Sequence, residues 1–214
     1  MKKNRLLPFV AASVLAFVGA SLAVAAEKEK DRGAEIGKTA PEFSLPTADG
    51  KSVSLADFKG KTVVIEWFSP YCPYSGLSSD NSYWSAGRAK RTIDAIKAAD
   101  ASAVYLCINS THDGYDGKDE KTNGKDSLAA VAGSPVPVLM DASGKVGHAY
   151  GAKKTPHVFI VDGAGTIAYM GAPVSEDGKK MYAVEAVKAI KAGQKPEPSE
   201  TKAYGCGVKY AKKG

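Results

Sequence analysis

The chain has 214 residues, 44% of them hydrophobic, with 29 Lys and Arg against 23 Asp and Glu for a formal charge of +6. That length is enough for a buried core without disulfide staples. Lysines and acids are mixed along the chain and no basic stripe with interleaved aromatics appears, which argues against nucleic-acid binding.

Residues 1–26 read as a secretory signal peptide. Lys2, Lys3 and Arg5 form a positive start, Phe9 to Val24 an apolar stretch, and Ala23-Val24-Ala25 a small-residue cleavage region. The stretch is shorter than the ~20 residues of a spanning helix, so no stable membrane insertion is expected after cleavage. Its Lys-rich start has a bacterial look, so the expected location is the periplasm or outside. Removing three of the +6 charges leaves a mature chain of +3. Residues 27–36 are expected to be a flexible lead-in, 37–193 one domain, and 194–214 an extended tail.

Phe43 to Leu45 and Ser52 to Leu55 flank Ala48-Asp49-Gly50-Lys51, a hairpin signal. Val63 to Phe68 is apolar with little alternation, which predicts a strand buried on both faces. Gly76 to Gly87 is rich in Ser, Asn and Asp, where helix is weakly favoured. Ala89 to Ala99 has helical spacing, and Ala101 to Asn109 reads as a second buried strand. Thr111 to Lys125 is expected as a solvated loop, Asp126 to Ala132 as a short helix and Val136 to Met140 as a strand. Lys145 to Tyr150 predicts a helix closed by Gly151. His157 to Val161 and Thr166 to Met170 predict a hairpin, and Lys179 to Ala192 an amphipathic helix ended by Gly193. An extended linker, Lys195 to Glu200, leads to the tail. This order predicts an α/β layered fold with a mixed central β-sheet flanked by helices and an N-terminal β-hairpin.

Cys72 stands at the mouth of the Val63–Phe68 strand and is followed by Pro73. Proline suits a first helical position, and a helix N-terminus favours the thiolate. A structural cysteine in a turn is the plainer alternative. Ser75 occupies the position three residues on, where a dithiol site has its second cysteine. Glu66 interrupts the apolar strand. It either exchanges protons with the thiol site or reaches the surface or a lysine. Thr155-Pro156 precedes a strand, where proline is a positional signal and a cis bond is possible. Cys107 lies within an apolar strand and reads as inert core. His112, His148 and His157 have no metal-ligand spacing, so neither a metal nor a cofactor is expected.

The runs Gly37 to Leu45, Asp49 to Leu55 and Phe58 to Val64 resemble the opening of the redoxin group of the thioredoxin superfamily. That group includes the alkyl hydroperoxide reductase/thiol-specific antioxidant and TlpA-like proteins. Trp67 to Ser75 is similar to its active-site segment, and Thr155 to Gly163 to its cis-proline strand. Tyr204 to Tyr210 is similar to the tail of an exported bacterial subgroup with one active-site cysteine. The resemblance implies a thioredoxin-like fold with Cys72 as the attacking thiol and Glu66 as the buried acid. It implies a substrate-binding set of Thr155, Pro156, Trp67 and Pro73. Ser75 departs from the dithiol pattern, although its hydroxyl can donate to a thiolate.

Cys206 is then the candidate partner of Cys72, and the linker 194–203 can span roughly 30 Å when extended. A frayed tail with a free thiol is the alternative. The expected function is an exported thiol–disulfide oxidoreductase acting on protein or small-molecule disulfides. Its mixed disulfide would be released by Cys206 or an external thiol reductant. One alternative is a peroxiredoxin-type peroxidase acting on peroxides. Ser69 matches that pattern, but Ile65 replaces its proline and no late arginine follows. The other alternative is a redox-inactive binding module.

Overall fold

The computed structural model describes residues 33–212. Its centre is a five-stranded mixed sheet in the order β5-β4-β3-β7-β8. β3 (Val63–Trp67), β4 (Val104–Asn109) and β5 (Val138–Met140) are parallel, while β7 (His157–Val161) pairs antiparallel with β3 and β8 (Ile167–Gly171) antiparallel with β7. The predicted mixed α/β sheet is therefore present.

The sheet divides the core in two. Along β3 and into Phe68 just beyond it, Val64 and Phe68 enter one apolar cluster and Val63, Ile65 and Trp67 enter the other. That two-residue period is the strand pleat, and all five β3 residues are buried because both faces are covered. Helices α1 (Arg88–Ala99) and α4 (Tyr182–Lys191) cover the first face with Ile93, Ile96, Val184 and Val187. The other face is covered by the hairpin β1 (Ser44–Pro46) and β2 (Ser52–Ser54), and by Tyr150 of helix α3 (Lys145–Tyr150). Burying an Ile65-sized side chain contributes about 1.5–3 kcal/mol.

Local signals account for most boundaries. The first hairpin pairs Ser44 with Ser54, and the Thr47 hydroxyl closes its turn on Asp49. Gly151 ends α3 in the left-handed region. Asp162 closes the β7–β8 turn by accepting from the Ala164 and Thr166 N–H groups.

Two expectations need correction. Helix α2 spans Glu120–Ala130, so part of the expected loop is helical. Asp119 caps it by accepting from the Thr122 N–H at 2.7 Å. Its buried face is polar: Asn123 and Ser127 both accept from the Asn109 side-chain amide. That polar face hides the helix from an apolar-periodicity reading. Of the lead-in, residues 33–36 are anchored rather than loose. The Ala34 N–H donates to the Tyr150 carbonyl, and Ile36 packs on the core. The signal-peptide reading and residues 27–32 lie outside the described residues.

The end of the chain is docked too. Ser199 and Thr201 exchange backbone hydrogen bonds with Met170 along the edge of β8. This pairing covers a sheet edge that would otherwise be open.

Candidate active site

Trp67 ends β3 and the chain then turns sharply. The Cys72 N–H donates to the Ser69 carbonyl, and the Ser75 and Gly76 N–H groups donate back to the Cys72 carbonyl. These bonds make a tight loop, not a helix: the next helix starts only at Arg88. Pro73 is exposed on that loop. The expected helix N-terminus at Cys72 is therefore absent, and no helix dipole acts on the thiol. Ser side chains between 78 and 85 bond to nearby backbone instead, as Ser82 and Ser85 do to the Gly76 carbonyl.

Other groups act on the thiol. Cys72 is 2% exposed. Its S–H donates to the Thr155 carbonyl at 3.2 Å, and its Sγ accepts from the Tyr74 N–H at 3.4 Å. Thr155 ends β6 (Lys154–Thr155), and the Thr155–Pro156 bond is cis. β6 pairs antiparallel with β9 (Cys206–Gly207), which sets Cys206 opposite Thr155. Burial alone would raise the Cys72 thiol. The Cys206 thiol, Thr155 and the Cys206 and Tyr74 N–H groups together outweigh it, so Cys72 falls below the ordinary thiol value. Cys206 moves the other way. Burial, then the neighbouring Cys72, push it up to about 11. Both thiols are free.

The tail reaches this position through glycine and aromatic anchors. Gly205 has φ +99°, and a Cβ there would collide with the Thr155 carbonyl oxygen. Beyond Cys206, the Tyr210 ring stacks on His148 at 4.1 Å between ring centroids, and its hydroxyl donates to the Ala152 carbonyl. On the other side of the loop, Pro73, Tyr74, Arg88, Glu176 and Tyr204 line a cleft of ≈ 400 Å³. Tyr74 is 53% exposed and Leu77 47%, an apolar rim within five residues of Cys72.

Glu66 is fully buried on the face below. It accepts from the Trp84 Nε1–H at 3.2 Å and the Tyr105 hydroxyl at 2.8 Å. Burial pushes its carboxyl up to about 8, partly offset by hydrogen bonds from Tyr105, Trp84 and Cys107. Its partners are thus core groups, not Cys72, and no lysine or surface reaches it. Cys107 is fully buried, and burial and Glu66 hold its thiol well above the ordinary range.

Of the expected residues, the fold gathers Cys72, Cys206, Thr155 and Pro156. Ser75 is nearby and fully buried, and its hydroxyl lacks a hydrogen-bond partner among the described residues. Trp67 does not belong with them. It is completely buried among Tyr150 and Phe159, and its indole N–H donates to the Ser110 hydroxyl at 3.0 Å. Pleat alternation aims it into the core, so it is no substrate-binding surface. The sequence reading missed Tyr74, Gly205 and the β6–β9 pairing. The Gly-Cys-Gly run at 205–207 was the available signal, since glycines permit close backbone approach. Among the described residues no cluster of three or more His, Cys, Asp and Glu side chains is placed to hold a metal. No helix there is long and apolar enough to cross a membrane.

The chain is similar to several known proteins. Thiol-disulfide oxidoreductase ResA of Bacillus thuringiensis subsp. konkukian is 28% identical over 169 residues, covering 78% of this chain and 87% of the relative. Chloroplastic peroxiredoxin Q of Gentiana triflora is 34% identical over only 71 residues, 31% of this chain and 33% of the relative. The crystal structure of a hypothetical protein from Sinorhizobium meliloti 1021 superposes with a TM-score of 0.68 at 25% identity, covering 84% of this chain and 97% of that one. Residues 35–188 match the Redoxin family, and the chain belongs to that family within the thioredoxin superfamily.

Proposed function

We propose that the chain is an exported thiol–disulfide oxidoreductase with Cys72 as its one nucleophile at the turn and Cys206 as the resolving thiol. The observation that carries this reading is the pairing of Cys206 with Thr155, the residue whose carbonyl accepts from the Cys72 S–H. The likeness to ResA supports the reaction class.

In the first step the Cys72 thiolate attacks one sulfur of a substrate disulfide. A Cys72–substrate bond forms, and the other substrate sulfur leaves as a thiolate and takes up a proton. Cys206 then loses its proton and attacks Cys72 Sγ. The second substrate thiol leaves, and a 72–206 disulfide remains. Two electrons have passed to the substrate. Thr155 and Pro156 present backbone to the substrate chain. The buried Ser75 hydroxyl is free to donate to the mixed disulfide. Glu66 acts at most from a distance, since its hydrogen bonds go to Trp84, Tyr105 and Cys107. Protein and small-molecule disulfides are the substrate class, and an external thiol restores the dithiol. Export rests on the sequence of residues 1–26, and the N-terminal residue of protein recovered from the periplasm tests it.

A thiol peroxidase is the second reading, favoured by the short likeness to peroxiredoxin Q. It needs a cation beside the peroxide. Arg88 instead gives its guanidinium to Asn81 and Arg91 to the Ala86 carbonyl. Peptide mapping of the oxidised chain without reduction tests the first reading, with a 72–206 linked peptide expected. Turnover of hydrogen peroxide but not of a peptide disulfide would favour the second. A Cys72 thiol titrating like a free cysteine, with neither turnover, would mean a binding module.

A further inference from the structure

The two sulfurs differ in reach. Cys72 is 2% exposed, whereas Cys206 sits half-buried on a two-residue strand at the surface. Displacement at a disulfide sulfur is in line, so the attacking thiol approaches from the side opposite the bond that breaks. A half-buried Cys206 leaves room for such an approach, and a Cys72 that is 2% exposed leaves little.

The surroundings of Cys206 are also charged. Lys154 and Lys209 both act on its thiol and favour negative charge there. Lys154 Nζ donates to the Gly205 carbonyl at 3.2 Å, beside the sulfur in sequence and space. Neither lysine is in an ion pair among the described residues. Lys153, next to Lys154 in sequence, is exposed.

We propose that the thiol that recycles the oxidised chain attacks Cys206, not Cys72, and that it is an anionic thiol recognised by Lys154 and Lys209. This rests on the 72–206 disulfide proposed above. A thiolate RS⁻ bonds to Cys206 Sγ while the 72–206 bond breaks, and its electron pair leaves with Cys72. Cys72 is the better leaving group because its surroundings favour the thiolate. A second RSH loses its proton and attacks the RS sulfur. RSSR leaves, and Cys206 is released. The two protons lost by RSH end on Cys72 and Cys206, and two electrons have entered the protein.

The test uses the full oxidised chain and three small thiols: 3-mercaptopropionate (anionic), 2-mercaptoethanol (neutral) and cysteamine (cationic). Each reacts briefly in the presence of iodoacetamide, and peptides are mapped by mass spectrometry. The expected result is the thiol adduct on Cys206 with Cys72 alkylated. Rates per thiolate at low salt are expected to favour 3-mercaptopropionate over cysteamine by roughly tenfold. That advantage should vanish in the K154A/K209A variant and at high salt. An adduct on Cys72 with Cys206 alkylated overturns the site of attack while leaving the pairing intact. Equal rates per thiolate for all three overturn the anionic preference. Alkylation of both cysteines before any thiol is added means that the pairing itself fails, and this inference fails with it.

Discussion

Cys72 and Cys107 are both buried cysteines at 2% and 0% exposure, and they sit on opposite sides of chemical usefulness. Cys107 faces the Glu66 carboxyl in an apolar layer, and its thiol is held far above the ordinary value. Cys72 is covered by N–H groups and a second thiol, and it falls below that value. Burial desolvates both sulfurs. What separates them is whether the neighbours donate to the thiolate or repel it. A cysteine's exposure therefore says little about its reactivity until its donors are named.

The sharpest way to break the contrast is to remove each sulfur. Cys72→Ser should reduce disulfide turnover to background in a peptide-disulfide assay, and Cys107→Ala should leave it intact. A Cys107→Ala chain that lost turnover without unfolding would erase the distinction.

The next effect comes from the tail that covers Cys72. Gly205→Ala puts a Cβ into the Thr155 carbonyl in a left-handed backbone. Alkylation of Cys72 should speed up about tenfold, equivalent to about 1.4 kcal/mol of lost tail docking. The melting temperature should change little, since the core is untouched. An unchanged alkylation rate would mean that the tail does not guard the thiol.

Glu66 tests the other side. Its folded carboxyl keeps a proton up to about 8, while the unfolded one releases it near its ordinary 4.5. Between those values the folded state binds more protons, so stability falls as pH rises and levels off above 8. Urea unfolding should show a slope of up to about 1.4 kcal/mol per pH unit in that window. Glu66→Gln should flatten it. Smallest of all, Cys107→Ala should cost about 1 kcal/mol of stability through lost packing.

Much of this was legible beforehand because it follows from local rules. Apolar runs specified β3 and β7, Asp-Gly specified the first turn, and Gly151 closed α3 as expected. Cys72 and Thr155-Pro156 announced themselves by position. Helix α2 did not, because Asn123 and Ser127 bury polar groups that find partners only in the folded chain. Trp67 was misassigned because adjacency to Cys72 in sequence is not adjacency on a face of the sheet. The environment of Cys72 was hidden for a related reason. Its partners are the Thr155 carbonyl, which accepts from the thiol, and Cys206, both more than eighty residues away, and no local pattern encodes that meeting.

The tail is fastened on both sides of Cys206. Thr201 bonds to Tyr169 and to the Ala172 N–H, and Tyr210 packs against Gly144 and Gly147. The stretch between these fastenings is a tether with little slack, which raises the effective concentration of one sulfur at the other. A short flexible tether already gives on the order of millimolar. Closure of the ring should therefore outrun cross-linking between two chains, and its rate should not depend on how much protein is present.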